Sequence, residues 1–562
     1  MSEEQQARKP RRQSTVTPIL PPLLVGSADA LEWSESTDVL VVGWGTAGAC
    51  AAIEARESGA EVMVLDRFGG GGASVLSGGV VYAGGGTPYQ KQAGFADTPQ
   101  AMQDYLRKEV NGVVSEETLQ RFCRDSVSNL AWLEKQGVRF GATMPANKTS
   151  YPPEGKFLYY SGNEVVPAFG ADQPPAPRGH RALARGQSGA TLYAALQTAT
   201  LRAGVQAVTQ AAVRRLVQER QADGSPGRVL GVEVWQLPVS APETRRHAEL
   251  DRLVAKWRLF QQGRAEAARR EAATLEQAHA KPRLIRARRG VILATGGHIY
   301  NPELIAQHAP NYQRGWKIGG AGCDGSGLRL GQSAGAQADG LGSVSGWRFI
   351  TPPYSWPKGL VVNSRGERFC NEQVYGAKLG HEMIQHQDGK AWLVLDAGLR
   401  WKSVWECLFG GMWSFQALPA LALMFKFCAK AATLEGLAGK IGADAAVLRA
   451  TVDRANAAAR GECEDPMGKS ADMRRVLERG PFFAINISIG EKMFPLATLT
   501  LGGLRVNENN GLVLDVRGQN IAGLHAAGRT AIGIPSAGYI SGLSLADCVF
   551  SGRRAGRSAA HQ

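Results

Sequence analysis

"TDVLVVGWGTAGACAAIEARESGAEVMVLDR", Thr37 to Arg67, is the stretch that decides the fold. "TDVLVVG" is the short apolar run of a buried parallel strand, "WGTAGACAAIEARESGA" a helix opened by glycines, and "EVMVLDR" a second strand. Gly43, Gly45 and Gly48 form a GxGxxG, with Thr46 and Ala47 between its last two glycines. The first glycine permits the tight turn, the second lets a pyrophosphate approach backbone amides at the positive end of the helix, and the third permits close helix packing. Asp66, at the end of the second strand, suits a ribose diol, and Arg67 follows it. This context predicts a dinucleotide site.

What lies downstream selects the dinucleotide. "GGGGASVLSGG", Gly69 to Gly79, offers small residues (Gly72, Ala73, Gly78, Gly79) and the hydroxyls of Ser74 and Ser77, suited to phosphates and a ribityl chain. A nicotinamide enzyme needs no such second loop. "RRGVILATGG", Arg288 to Gly297, returns as a strong apolar strand and brings Ala294 and Gly296. "AAGR" brings Gly528 and Arg529 just before a helix that begins near Ser544 and Leu545, and Val213 lies in one of two weaker strand signals. Together these read as FAD. The predicted fold class is α/β: a discontinuous Rossmann-like FAD-binding domain with a second domain inserted. The expected division is a tail over 1–32, the first part of the FAD domain over 33–300, the catalytic domain over 301–495, and the rest of the FAD domain over 496–562.

The 562-residue chain carries a formal charge of +14. Half of that excess falls between Glu243 and Arg289, where 13 Lys/Arg face 6 Asp/Glu. This segment is rich in helix formers and mixes both signs, so a solvated helical insert over about 239–285 is expected. It has no finger spacing and no aromatic stacking motif, which argues against nucleic acid. The eight cysteines lack any CxxC, and the histidines lack ligand spacing, so no metal and a reducing cytoplasm are expected. Arg11 and Arg12 precede an apolar run in the outline of an export signal, but Pro18, Pro21 and Pro22 interrupt it, and an extended tail packed on the domain is expected instead. "CLFGGMWSFQALPALALMFKFC" nearly reaches membrane-spanning length but contains Gln416, Pro419 and Lys426. A buried or substrate-facing element is expected there, with peripheral membrane contact left open.

From Trp33 onward the order of these segments resembles the fumarate reductase/3-ketosteroid dehydrogenase superfamily of flavoproteins, and "LVVNSRGERFCNE", Leu360 to Glu372, resembles its catalytic-domain signature. The departures narrow the resemblance. Where soluble fumarate reductases carry an arginine after the Asn-Glu, this chain reads "NEQVYGAKLG", and it has no His-Pro-Thr upstream. A dicarboxylate needs converging cations, and none cluster in these motifs. "AGYISG", "TPYQKQAGF" and "PAPRGH" resemble the Δ4-(5α)-dehydrogenases of 3-ketosteroids more than the Δ1-dehydrogenases. The resemblance implies an FAD-binding domain of the glutathione reductase type with an inserted α+β catalytic domain, an apolar steroid-like ketone as substrate, catalytic roles for Tyr375, Tyr539 and Ser541, and FAD held noncovalently, because the loop before the ribityl site lacks the histidine of flavinylated relatives. The basic insert is not part of the family pattern.

Desaturation beside a ketone requires a polarised carbonyl, removal of the acidified α-proton and a hydride acceptor. Phenols suit a dry site because they donate or accept without permanent charge, but with an ordinary pKa of about 10 a tyrosine base needs help. The helix starting near Ser544 directs its positive end at the preceding loop, which would favour a Tyr539 phenolate. Tyr539 and Tyr375 are expected to share proton abstraction and contact with the ketone, with Ser541 hydrogen-bonded within the pair. The Δ1 reaction, a flavin-dependent ene-reductase and a noncatalytic flavin- or sterol-binding protein stay open, as does the electron acceptor.

Overall fold

A computed structural model describes residues 14–170 and 173–562. The arginine pair at 11 and 12 lies outside them. The central sheet uses nine strands: β1 (Leu23–Val25), β2 (Glu35–Val42), β3 (Val62–Leu65), β4 (Gln206–Val208), β5 (Ala211–Arg220), β6 (Pro226–Gln236), β7 (Lys281–Leu293), β8 (Leu512–Leu514) and β9 (Asn520–Ala526). Its order runs β1-β5-β6-β7-β2-β3-β4, with β9 also on β7 and β8 on β9. β7 changes partner along its length. Its first half pairs antiparallel with β6, its last residues, Val291–Leu293, pair parallel with β9, and β2 runs parallel beside it. The parallel half, β9-β7-β2-β3-β4, therefore forms a dinucleotide-binding sheet, and Val39, Leu40, Val41, Val291, Ile292 and Leu293 in its middle are fully buried.

Seven helices position the site: α1 (Thr46–Glu57), α2 (Pro242–Trp257), α3 (Gln262–His279), α4 (Gly376–His386), α5 (Ala397–Phe409), α6 (Ser414–Phe425) and α7 (Leu543–Ala560). The first and last pack on each other through small residues. A Cβ at Gly552 would come within 2.5 Å of the Ala47 carbonyl oxygen, and one at Gly556 within 2.3 Å of that of Ala51. A second core, between residues 299 and 496, gathers around a four-stranded sheet in the order Leu360–Val362, Trp392–Leu395, Phe482–Asn486, Cys428–Ala431, flanked by α4, α5 and α6.

The N-terminal segment lies on the molecule: β1 pairs with β5, and Thr17 donates from its backbone amide and its hydroxyl to Asp324. The basic insert departs from the sequence-based expectation twice. Helix ends at His279, and Lys281–Ile285 is already strand, because "KPRLI" continues a β7 that pairs residue by residue with β6. Nor is the insert a solvated excursion. α2 and α3 leave the tip of the β6–β7 hairpin and pack Leu250, Val254, Ala265, Ala268 and Ala272 against Phe68 and Ala321. At that contact Arg67 pairs with Glu276 and Asp324, both at 2.8 Å, and His247 lies 2.9 Å from Glu276. Against burial, which pushes it up, Arg67 and His247 hold the Glu276 carboxyl down to about 2.

Candidate active site

One cavity of about 690 Å³ runs from the α1 glycine loop to the second core. At one end Gly43 has φ +101°, and a Cβ there would lie 2.5 Å from the Ala294 carbonyl oxygen; a Cβ on Gly48 would lie 1.9 Å from that of Gly43. Only glycine fits these two positions, the first for the turn and the second for the helix–strand approach. Asp66 organises the loop, accepting from the amides of Trp44 (2.8 Å), Phe68 (2.8 Å) and Gly70 (3.2 Å). Ser74 Oγ accepts from Thr46 N at 3.1 Å.

Gly43, Gly45, Thr46, Ala47, Asp66, Arg67, Gly72, Ala73, Ser74, Ser77, Gly78, Val213, Ala294, Gly296, Arg529, Ser544 and Leu545 all line this cavity. Gly48, Gly79 and Gly528 do not. A Cβ at Gly79 would meet the Ser188 carbonyl carbon at 2.4 Å and one at Gly528 the Ala47 Cβ at 2.8 Å, so these glycines serve close packing around the cradle. The Arg67 guanidinium is committed to Glu276 and Asp324 and anchors the insert. Among the described residues, six buried polar atoms of the wall lack a protein partner: Trp44 Nε1, Thr46 Oγ1 at the start of α1, Arg258 Nε, Trp347 Nε1, Trp356 Nε1 and Arg529 Nη1. The unpaired Thr46 hydroxyl at the N-terminus of α1 and the unpaired Nη1 of Arg529 fit the phosphates and flavin of FAD. The insert adds Asp251, Arg252, Ala255, Arg258 and Leu259 to this wall, residues that the glycine motifs alone do not reveal.

At the other end the wall turns aromatic and apolar, with Trp347, Phe349, Phe415, Pro419, Leu423 and Phe494. Tyr375, Tyr539 and Ser541 all reach it. Tyr375 is the N-cap residue of α4. Its amide donates to Asn163 Oδ1 at 2.6 Å, and its ring meets Phe349 edge-on at 5.4 Å. The Asn-Glu signature before it is structural. Glu372 is buried, pairs with Arg368 and Lys469 at 2.8 Å each, and accepts from Val361 N at 2.9 Å. Tyr539 packs 5.1 Å from Trp347, and Gly542, with φ +90°, turns the chain from its loop into α7.

Ser541 hydrogen-bonds the Tyr375 phenol and has a further partner: its hydroxyl lies 2.9 Å from that of Tyr159, and its amide donates to the Ser161 carbonyl at 3.2 Å. The third phenol sits in a two-residue strand, Leu158–Tyr159, 382 positions away, and only the adjacent "YYSG" hinted at it.

Burial raises all three phenols. It pushes Tyr539 up to about 12, with the Arg529 charge pulling the other way. Tyr375 is raised well above the usual range by burial and by the neighbouring Tyr539 and Tyr159, while Ser541 lowers it. Behind them Glu164 is 1% exposed; burial raises it to about 7, and one of its oxygens has no partner. A carboxyl raised in the folded state favours folding most below its unfolded pKa of about 4.5, and that advantage is lost as pH rises towards 7. Glu164→Gln is therefore expected to gain about 3 kcal/mol on the parent protein between pH 4.5 and pH 8, read by denaturant unfolding. A difference that stays constant with pH would refute this.

The chain matches the FAD binding domain family over residues 38–542 and belongs to it. It is 56% identical to the 3-oxo-5-alpha-steroid 4-dehydrogenase of Comamonas testosteroni, over 92% of this chain and 96% of that one. A solved structure of 3-ketosteroid-delta4-(5alpha)-dehydrogenase from Rhodococcus jostii, in complex with 4-androstene-3,17-dione, superposes with a TM-score of 0.79 at 32% identity, covering 97% of this chain and all of that one. The vinyl phenol reductase of Lactiplantibacillus plantarum is 26% identical over 94% of this chain and 97% of its own length.

Proposed function

We propose that this protein is an FAD-dependent dehydrogenase that converts a 3-oxo-5α-steroid into the 4-ene-3-oxosteroid. The observation that carries the reading is a single cavity with a dinucleotide cradle at one end and Tyr375, Tyr539 and Ser541 on an apolar wall at the other. Bound FAD supplies the acceptor for the hydride that leaves C5. The chain's own residues supply proton chemistry and orientation. Tyr375, the more strongly raised of the two phenols, stays protonated and donates its hydroxyl to the C3 ketone, which acidifies C4. Tyr539 takes the C4 proton on its phenolic oxygen, with Arg529 and the N-terminus of α7 favouring its ionised form. Ser541, bonded to Tyr159, fixes the loop that carries Tyr539.

The aromatic end suits a fused apolar ring system and excludes water from the proton transfer. Among the described residues no histidine lines the cavity, which supports noncovalent attachment of FAD; acid precipitation should release the yellow colour into the supernatant.

Under anaerobic conditions a saturated 3-keto-5α-steroid is expected to bleach the bound flavin. A flavin that stays oxidised with this substrate but bleaches with a 4-ene-3-ketone would reassign the protein to Δ1 chemistry. Steroid binding without reduction by either would make it a binding protein.

A further inference from the structure

Seven of the large apolar side chains exposed among the described residues fall within 25 positions: Trp401, Trp405, Leu408 and Phe409 on α5, and Phe415, Leu418 and Phe425 on α6. Their spacing is helical. Each helix buries one stripe in the second core, Val404 and Cys407 from α5, Ala420 and Leu423 from α6, and turns a second apolar stripe outward. A soluble helix normally presents a polar outer face, and Trp405 and Phe409 are 64% and 69% exposed. These side chains are held in place. The buried Arg400 guanidinium stacks on Trp401 at 5.1 Å and on Phe425 at 4.3 Å and donates to the Met424 carbonyl at 3.1 Å, which locks the hairpin with its aromatics outward.

Charge and position identify the occupant. Between residues 397 and 430 there are four Lys/Arg and one acid, Glu406, and that acid is bonded to the Ser355 hydroxyl and amide. Lys402, Lys426 and Lys430 are exposed around the apolar stripe. Phe415 and Pro419 of α6 are exposed and also line the substrate end of the cavity. No helix among the described residues is long and apolar enough to cross a membrane. We propose that the α5–α6 hairpin docks this protein on an anionic lipid bilayer, aromatics in the acyl–headgroup boundary and lysines on the headgroups, so that an apolar ketone passes from lipid into the cavity along α6. The docking stands independently of which bond the enzyme desaturates, and the delivery role rests on the steroid reading.

Vesicle sedimentation of the FAD-loaded full chain tests the face alone. With vesicles of phosphatidylcholine and phosphatidylglycerol (about 70:30), the protein should pellet. Vesicles of phosphatidylcholine only should bind it about 5-fold more weakly per engaged lysine. Trp405→Ser/Leu408→Ser/Phe409→Ser should weaken partition by at least about 100-fold. It should leave flavin content, and turnover of cyclodextrin-delivered steroid, unchanged, since none of the three lines the cavity. If that variant misfolds, Lys402→Glu/Lys426→Glu/Lys430→Glu reads the same binding from the surface and should abolish its salt dependence. Wild-type protein that stays in the supernatant with anionic vesicles, or variants that bind like wild type, would overturn the proposal. So would a wild-type dimer that the triple serine variant makes monomeric, which would assign the face to a second copy of the chain.

Discussion

Replacing Tyr539 by phenylalanine is expected to lower turnover of a 3-keto-5α-steroid about 10³-fold, within the range for loss of a general base, while the flavin stays bound. The substitution removes one oxygen and keeps the ring that packs 5.1 Å from Trp347, so the wall beside the substrate retains its shape. Steroid affinity, read from perturbation of the flavin spectrum, should change less than 10-fold, since a single neutral hydrogen bond contributes about 1 kcal/mol. Tyr375→Phe should instead weaken binding and rate together, because in the proposed mechanism its hydroxyl contacts the ketone in both ground and transition states. A Tyr539→Phe enzyme that keeps a tenth or more of wild-type turnover would remove Tyr539 as the base.

The second large effect concerns the insert. Gln236 and Lys281 are paired across β6 and β7, so residues 237–280 form one excursion from a hairpin tip. A two-residue Asn-Gly turn closes such a hairpin. The excised chain should keep its sheet but lose flavin affinity by about 100-fold or more, because Asp251, Arg252, Ala255, Arg258 and Leu259 leave the cavity wall and Phe68 loses its apolar cover. Loss of Glu276 also removes one of the two carboxylates that form ion pairs with Arg67 at 2.8 Å. Arg258→Ala reports in the same direction without a deletion, since the guanidinium donates to the Leu76 carbonyl at 2.9 Å and its Nε is buried without a partner. Equilibrium dialysis of FAD measures both. An excised chain that purifies fully loaded with unchanged affinity would reduce the insert to decoration.

The cradle was legible in the sequence because its demands are local. Gly43 and Gly45 stand between a buried strand and a helix whose first turn holds Gly48, and Asp66 follows the next strand, so spacing alone carries the reading. The terminal loop was legible for a similar reason, with Tyr539 and Ser541 next to glycines that bend the chain into α7. The insert was misread because the side it buries is built mainly of alanines, 265, 268 and 272, whose small apolar contrast looks like that of a solvated helix. Tyr159 was missed because its partner lies at the opposite end of the chain and its strand is only two residues long. The outward stripe of α5 and α6 was visible only as hydrophobic length, since a helix with two apolar faces has no periodicity to show which one is exposed.

The short segment 159–163 touches both loops of the proposed catalytic pair. Asn163 accepts the Tyr375 amide and donates to Glu109 at 2.7 Å, Ser161 accepts the Ser541 amide, and Tyr159 meets the Ser541 hydroxyl. Two loops more than 160 residues apart thus hang from one peg of five residues, and their separation is set by that peg rather than by how the two cores lean on each other. The proposed catalytic pair should travel as a unit, while the α5–α6 hairpin has its own tie, the Trp413 indole, which donates to the Pro152 carbonyl at 3.0 Å.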